Sequence, residues 1–256
     1  MKQAVIFFWV IGSLWAPGEA LAQSTPIPLA TGEWAPYTSK DMEGFGAFTE
    51  IVSAAFHEAG MEPRYQFYPW KRAEEYTREG TVFAAFPYKI TDERLLIYDF
   101  SEAVMLSTGR FFYLKSRFPQ RLDYQEFADL AALRIGGVLG YWYETPFKEA
   151  KLMVEYVPTD EQNFMKLYAG RLDLVACDEL VGWGLINKLY TREVSQFATI
   201  DKPMNEDALA LMVSRTYPNA AAITSAFNAA LKRLEAQRKV KEILSRHGLQ
   251  DYRTSE

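Results

Sequence analysis

Arg94 sits in the stretch FPYKITDERLLIYDFS, residues 86–101, where an apolar run ends at Phe86-Pro87 and the sequence turns apolar again after Thr91-Asp92-Glu93-Arg94. A guanidinium in a turn between two apolar, buried-looking segments has two readings. One is a fixed cation aimed at a ligand, because its planar fork of donors matches a carboxylate in two hydrogen bonds. The other is a surface side chain paired with Asp92 or Glu93, an arrangement worth little. A complementary charge stands at Asp178, which ends the run RLDLVACD. Asp178 beside Glu179 also has the composition of an acid–base pair, but adjacent residues entering a helix point in different directions, which argues against shared catalysis. Cys177 lies in an apolar run with no histidine near it in sequence, so its thiol is expected to be inert.

Counts and spacing weaken other chemistries. The chain of 256 residues has a single cysteine and two histidines, His57 and His247, far apart. That excludes an internal disulfide and a cysteine-based zinc site, and neither metal nor cofactor is expected. GWGLIN at Gly182 begins like a dinucleotide fingerprint but lacks the third glycine and falls in a helix-like segment. Neither a phosphate loop nor a G-x-S-x-G elbow occurs. The net charge of −5, with no block of like charge, argues against nucleic acid as a partner.

The elements that must position Arg94 and Asp178 follow from periodicity. PLATGEW reads as a strand running into a turn at Trp34-Ala35-Pro36-Tyr37. Phe48, Ile51, Val52, Ala55, Phe56 and Ala59 recur at helical spacing and stop at Gly60. Tyr65–Tyr68 is a short strand, Pro69 is placed to open a helix that closes at Gly80, and TVFAAF is a buried strand. The second half repeats this grammar: LRIGGVLG is a strand, Thr159 with Gln162 forms a capping box for a helix ending at Gly170, and RLDLVAC is the next strand. Two amphipathic segments, Ile223–Leu234 and Val240–Leu244, close the chain and are expected to pack on the first half. Alternating strands and helices imply mostly parallel sheets covered on both faces, and two such sets imply two α/β lobes.

Ligands of open α/β sheets bind beyond the carboxyl ends of the strands. Trp34, Trp70 and Trp142 occupy loop or helix-start positions after strands and are therefore candidate cleft walls, while Tyr37, Phe45 and Trp183 are assigned to core packing. Lys71 and Arg72 follow Trp70 and either bring a second positive charge to the cleft or lie exposed at the helix start. At the other end of the argument, Lys2, an apolar run AVIFFWVIGSLW and the small-x-small site Ala20-Leu21-Ala22 read as a secretory signal over 1–22, too short an apolar run for a membrane span. The mature chain is expected to be exported to the periplasm.

Taken in order, Trp34-x-Pro36-Tyr37, the helix between Gly46 and Gly60, Thr91-x-x-Arg94 followed by Phe100-Ser101, the run LYAGRLD leading to Asp178, and the closing ILSRHGL resemble the family 3 extracellular solute-binding proteins, across essentially the whole mature chain. The resemblance implies the two-lobed periplasmic binding protein type II fold, with a ligand cleft between lobes, and the role of a receptor for an amino acid ABC transporter. It implies that Arg94 clamps a ligand carboxylate and that Asp178 takes its ammonium. Pro87, Tyr88 and Lys89 stand where the family has small hydroxyl residues, and Gly140-Tyr141-Trp142 where it has glycine and two threonines. Gly140 leaves helix amides available to an anion, and Tyr88, Tyr141 and Trp142 join the candidate ligand contacts with Trp34, Trp70 and Arg72.

The expectation is thus a monomeric periplasmic receptor that closes on a small amino-acid-like or carboxylate-bearing solute and delivers it to a membrane ABC permease. Lobe 1 is read as 26–105 plus 214–250 and lobe 2 as 106–213, with crossovers near Met105–Tyr113 and Ala208–Val213. The competing expectations are a periplasmic enzyme resembling cyclohexadienyl dehydratase, which would need an anion clamp and a general acid, and a soluble sensing input to a membrane partner.

Overall fold

The structure, a computed structural model, describes residues 26–249, so the signal segment read over 1–22 lies outside the described residues. The first set of elements is β1 (Ile27–Thr31), α1 (Ala47–Glu58), β2 (Pro63–Phe67), α2 (Trp70–Glu79) and β3 (Ala84–Lys89). β1 pairs in parallel with both β2 and β3, and α1 buries the face Phe48, Ile51, Val52, Ala55 and Phe56 in the same core as Leu29 of β1 and Phe86 of β3. α2 opens after Pro69, whose φ is already set for the turn and whose missing N–H is no loss there. It closes at Gly80, in the left-handed conformation at φ 76 that glycine adopts at little cost.

β3 departs from the expectation that the strand ends at Phe86. It continues through Pro87 to Lys89, paired antiparallel with β10 (Asn205–Val213). The register shifts between Ala210 and Met212, opposite Phe86 and Pro87, so the residue with no N–H to donate falls where the ladder is already interrupted. The turn after it is a single helical turn, α3 (Asp92–Leu95), and Leu95, Leu96 and Ile97 are exposed, Leu96 to 80%, before Tyr98 is buried. β4 (Asp99–Phe100) then leads to the long β5 (Met105–Leu114).

The second set is β6 (Arg134–Val138), α4 (Glu144–Glu149), β7 (Met153–Val157), α5 (Asp160–Tyr168), β8 (Leu174–Asp178), α6 (Glu179–Leu189) and β9 (Phe197–Thr199). β6 pairs in parallel with β7 and β8. α7 (Ala220–Ala236) and α8 (Lys239–Arg246) return to pack on α1. The sheet order is β2-β1-β3-β10-β5-β8-β6-β7, with β4 on β10 and β9 on β5. The fold is therefore mixed α/β and two-lobed, joined through β5 and β10. Those strands pair with each other only over 105–109 and 205–209. Beyond that, β5 gives 109–112 to β8 while β10 gives 209–213 to β3 and β4.

Alternate residues of β5 serve different cores, as the two-residue period of a strand requires. Phe111 stacks on Phe147, whereas Phe112 meets Phe164 and Trp183 edge-on with centroids 5.3 and 5.4 Å away. α6 approaches β5 closely because Gly182 faces that ring: a Cβ there would lie 2.3 Å from Phe112. Phe45 is not core; it is 43% exposed at the end of a 3-10 turn, touching Tyr65 and Phe67. Tyr37 is fully buried and Trp183 partly so.

Candidate functional site

A cavity of about 270 Å3 opens where the two sets of elements meet the β5–β10 ribbon. Trp34, Trp70, Tyr88, Arg94, Gly140, Tyr141, Trp142 and Asp178 all line it, together with Lys89, Ser107, Gly109 and Asn205. Arg72, also singled out from the sequence, is exposed and does not line it. Helical geometry is the reason. Each residue turns the side chain by about 100°, so with Trp70 over the cavity and Ala73 buried, Arg72 points to solvent.

Arg94 is positioned by a local cap. Thr91 is the N-cap of α3 and its hydroxyl oxygen accepts the Arg94 N–H at 3.3 Å. The guanidinium donates from Nη1 to Lys89 O at 3.1 Å, lies over the Tyr88 ring at 4.8 Å, and has Glu74 at 3.9 Å from Nε. Neither Asp92 nor Glu93 is its ion partner. The Tyr88 hydroxyl donates to Trp70 O at 2.8 Å, and the Trp70 ring lies against Gly32, where a Cβ would be 2.7 Å from it. Trp34 stacks on Tyr37 with centroids 4.4 Å apart. Across the cavity, Lys89 Nζ sits 4.6 Å over the Trp142 ring and pairs with Asp207.

Gly140 corrects the expectation of an open anion niche. Its N–H donates to the Glu144 carboxylate of α4, so the protein's own anion already fills that turn. On the same side, Tyr141 donates to Asp160 at 3.3 Å, and burial pushes the Asp160 carboxyl up to about 6. Cys177 is fully enclosed, and burial beside Asp160 and Asp178 drives its thiol well above the ordinary range, as an inert thiol requires. Glu179 turns away to Arg110, 2.8 Å from its Nε.

Asp178 caps α6, and its oxygens are heavily engaged. Oδ1 accepts the N–H groups of Leu180 (3.0 Å) and Val181 (3.2 Å), Oδ2 accepts the Ser107 hydroxyl (2.7 Å), and the Tyr37 hydroxyl lies 3.2 and 3.1 Å from the two oxygens. Burial outweighs these hydrogen bonds and pushes the carboxyl up to about 6. Tyr37 reads as core, and nothing in the local pattern of β5 marks Ser107; only the crossover places it beside a residue of β8.

The elevated Asp178 carboxyl has a pH consequence. With its folded value above the unfolded one, the native state binds more protons between about pH 4 and 6, so this group's contribution to stability declines as pH rises through that window. Asn at 178 keeps a helix cap but does not titrate. The Asp178→Asn protein should therefore gain in melting temperature relative to the parent as pH rises from 4 to about 6.5, and a difference flat with pH would contradict it. Asp160 retains a slope of the same sign in both proteins. Asp173 has the opposite sign, since Arg134 and Arg117 hold it at about 2 and its contribution is lost as pH falls from about 4.

Among the described residues no group of His, Cys, Asp and Glu could hold a metal, and no helix is long and apolar enough to cross a membrane. Against known proteins, a profile of the bacterial extracellular solute-binding proteins, family 3, matches residues 29–250. No curated protein matches significantly in sequence. Among solved structures, the GluR0 ligand-binding core from Nostoc punctiforme in complex with L-glutamate is similar with a TM-score of 0.70 at 17% identity, covering 88% of this chain and 100% of that one. The ancestral amino acid-binding protein AncCDT-1, a precursor of cyclohexadienyl dehydratase, gives 0.68 at 17%, covering 86% and 94%. The substrate-binding protein of an amino acid ABC transporter gives 0.65 at 18%, covering 87% and 98%. At these identities the structural likeness shows the fold.

Proposed function

This chain belongs to the bacterial extracellular solute-binding proteins of family 3, and we propose that it is a periplasmic receptor that closes its two lobes on a small carboxylate-bearing or amino-acid-like solute and delivers it to a membrane ABC permease. Its lobes would divide at the ribbon: 26–107 with 207–249 on one side, 108–206 on the other, the paired segments 105–109 and 205–209 absorbing the motion as strand ends can. The receptor would act as a monomer.

The observation that carries this reading is the meeting of Arg94 from one lobe and Trp142 from the other at a single cavity, with aromatic walls and a guanidinium that still has donors to offer. A ligand touching both lobes favours the closed state because only that state offers both sets of contacts. The dehydratase alternative needs a general acid at the cavity. Glu179 is paired with Arg110 outside the lining, and Asp178 already accepts from four groups, which favours the receptor reading over that alternative.

A thermal-shift screen against amino acids, their modified forms and small mono- and dicarboxylates tests the reading. A true ligand present at 100 times its dissociation constant adds about 2.7 kcal/mol of stability. If no carboxylate raises the melting temperature, the receptor reading fails.

A further inference from the structure

We propose that the solute is a carboxylate with an aromatic or otherwise flat body and no ammonium group. The inference rests on the receptor reading and narrows it. A buried ammonium has three N–H donors to satisfy and a charge to balance, so a site that takes one must offer acceptors directed into the cavity. Around this cavity Asp178 and Asp207 are already engaged; Asn205 Oδ1, in the lining, is buried without a partner, but one neutral oxygen meets neither three donors nor a charge. A carboxylate has about four acceptor directions, and Asp178 meets Leu180, Val181, Ser107 and Tyr37 with them. Tyr37 and Ser107 come from elsewhere in the chain and place hydroxyl donors against Asp178, where a bound amine would otherwise sit.

Three further acceptors near the cavity are occupied. Lys89 O receives Arg94 Nη1, and Trp70 O receives the Tyr88 hydroxyl. Asp207 pairs with Lys89 Nζ and with the Asn205 amide. Within β3 Pro87 has no N–H, and Tyr88 turns its hydroxyl away from the cavity onto Trp70 O.

The positive side differs. Among the described residues the Arg94 guanidinium donates one hydrogen bond, to Lys89 O, so most of its fork remains for a carboxylate. Trp34, Trp70 and Trp142 provide flat apolar faces, which stack on planar ligands. Lys89 already lies over the Trp142 face, so that ring holds a protein cation and does not call for one on the ligand.

Matched pairs of probes test this: 3-phenylpropionate against L-phenylalanine, and indole-3-propionate against L-tryptophan, by isothermal titration calorimetry at pH 7.5. The amine-free member of at least one pair should bind about 10-fold tighter or better, and Arg94→Ala should remove its binding. Tyr37→Phe with Ser107→Ala should narrow the gap by raising affinity for the amino acid; Ser107→Ala alone serves if the double variant does not fold. An amino acid that binds as tightly as its amine-free partner overturns the inference and leaves the receptor reading in place. Failure of all four probes also overturns it, while any carboxylate found by the wider screen keeps the receptor reading. Tight binding unchanged by Arg94→Ala overturns both.

Discussion

Arg94→Ala is expected to lower affinity for the carboxylate ligand by about 100-fold, because removing one partner of a buried charge-assisted pair costs roughly 2–5 kcal/mol. The loss has two parts, the bidentate hydrogen bonds and the charge left unbalanced in a cavity walled by aromatic rings. The fold should survive. Arg94 is partly exposed, its one-turn helix is capped by Thr91 rather than by its own side chain, and its contact over Tyr88 is worth only about 0.5–1 kcal/mol. A change of that size moves the melting temperature by a few degrees at most in a chain this long. Arg94→Lys keeps the charge but loses the planar fork and should fall between parent and alanine variant. Calorimetry with the best ligand from the screen measures all three proteins. An unchanged dissociation constant would retire the clamp.

Phe112→Ala should give the larger effect on stability, about 3–5 kcal/mol, as for other buried phenylalanines truncated in a packed core. The ring is fully buried on β5, edge-on to Phe164 and Trp183, with the backbone of α6 against it at Gly182. These neighbours sit on two helices, α5 and α6, so the space left behind cannot collapse from one side alone. At roughly 2–4 °C per kcal/mol for a domain of this size, the melting temperature should fall by on the order of 10 °C. In urea the midpoint should drop while the slope stays constant, since the native state remains compact. Ligand affinity should fall as well, because α6 rests on this ring and its first turn holds Asp178. A drop of less than about 3 °C would mean that α6 repacks onto β5 without the ring.

Much of the molecule could be read locally, and the reasons are local. Pro69 and Gly80 bracket α2, Thr159 caps α5 at Gln162, and the apolar spacing of Phe48 to Phe56 marks the buried face of α1. Each of these depends on hydrogen bonds or packing within a few residues, where spacing in sequence is distance in space. The same locality explains two departures. The apolar letters at Leu95–Ile97 read as the start of a buried segment, yet no second layer covers that turn. Pro87 reads as a strand end, yet a bulge that includes it lets β3 run on.

The sequence by itself determined where α1, α2 and α5 lie, that the elements alternate as α/β, and that a guanidinium stands in a turn just past a strand. Only the tertiary structure decided what Asp178 holds. Its partner Tyr37 lies 141 residues away in the chain and Ser107 lies 71 away, and both arrive because β5 is inserted between β10 and β8. The order of strands is a global choice, made by which buried faces fit together across both lobes, and no short spacing records it. The chemistry of the cavity, with a cationic fork left open and a carboxylate already closed, follows from that choice.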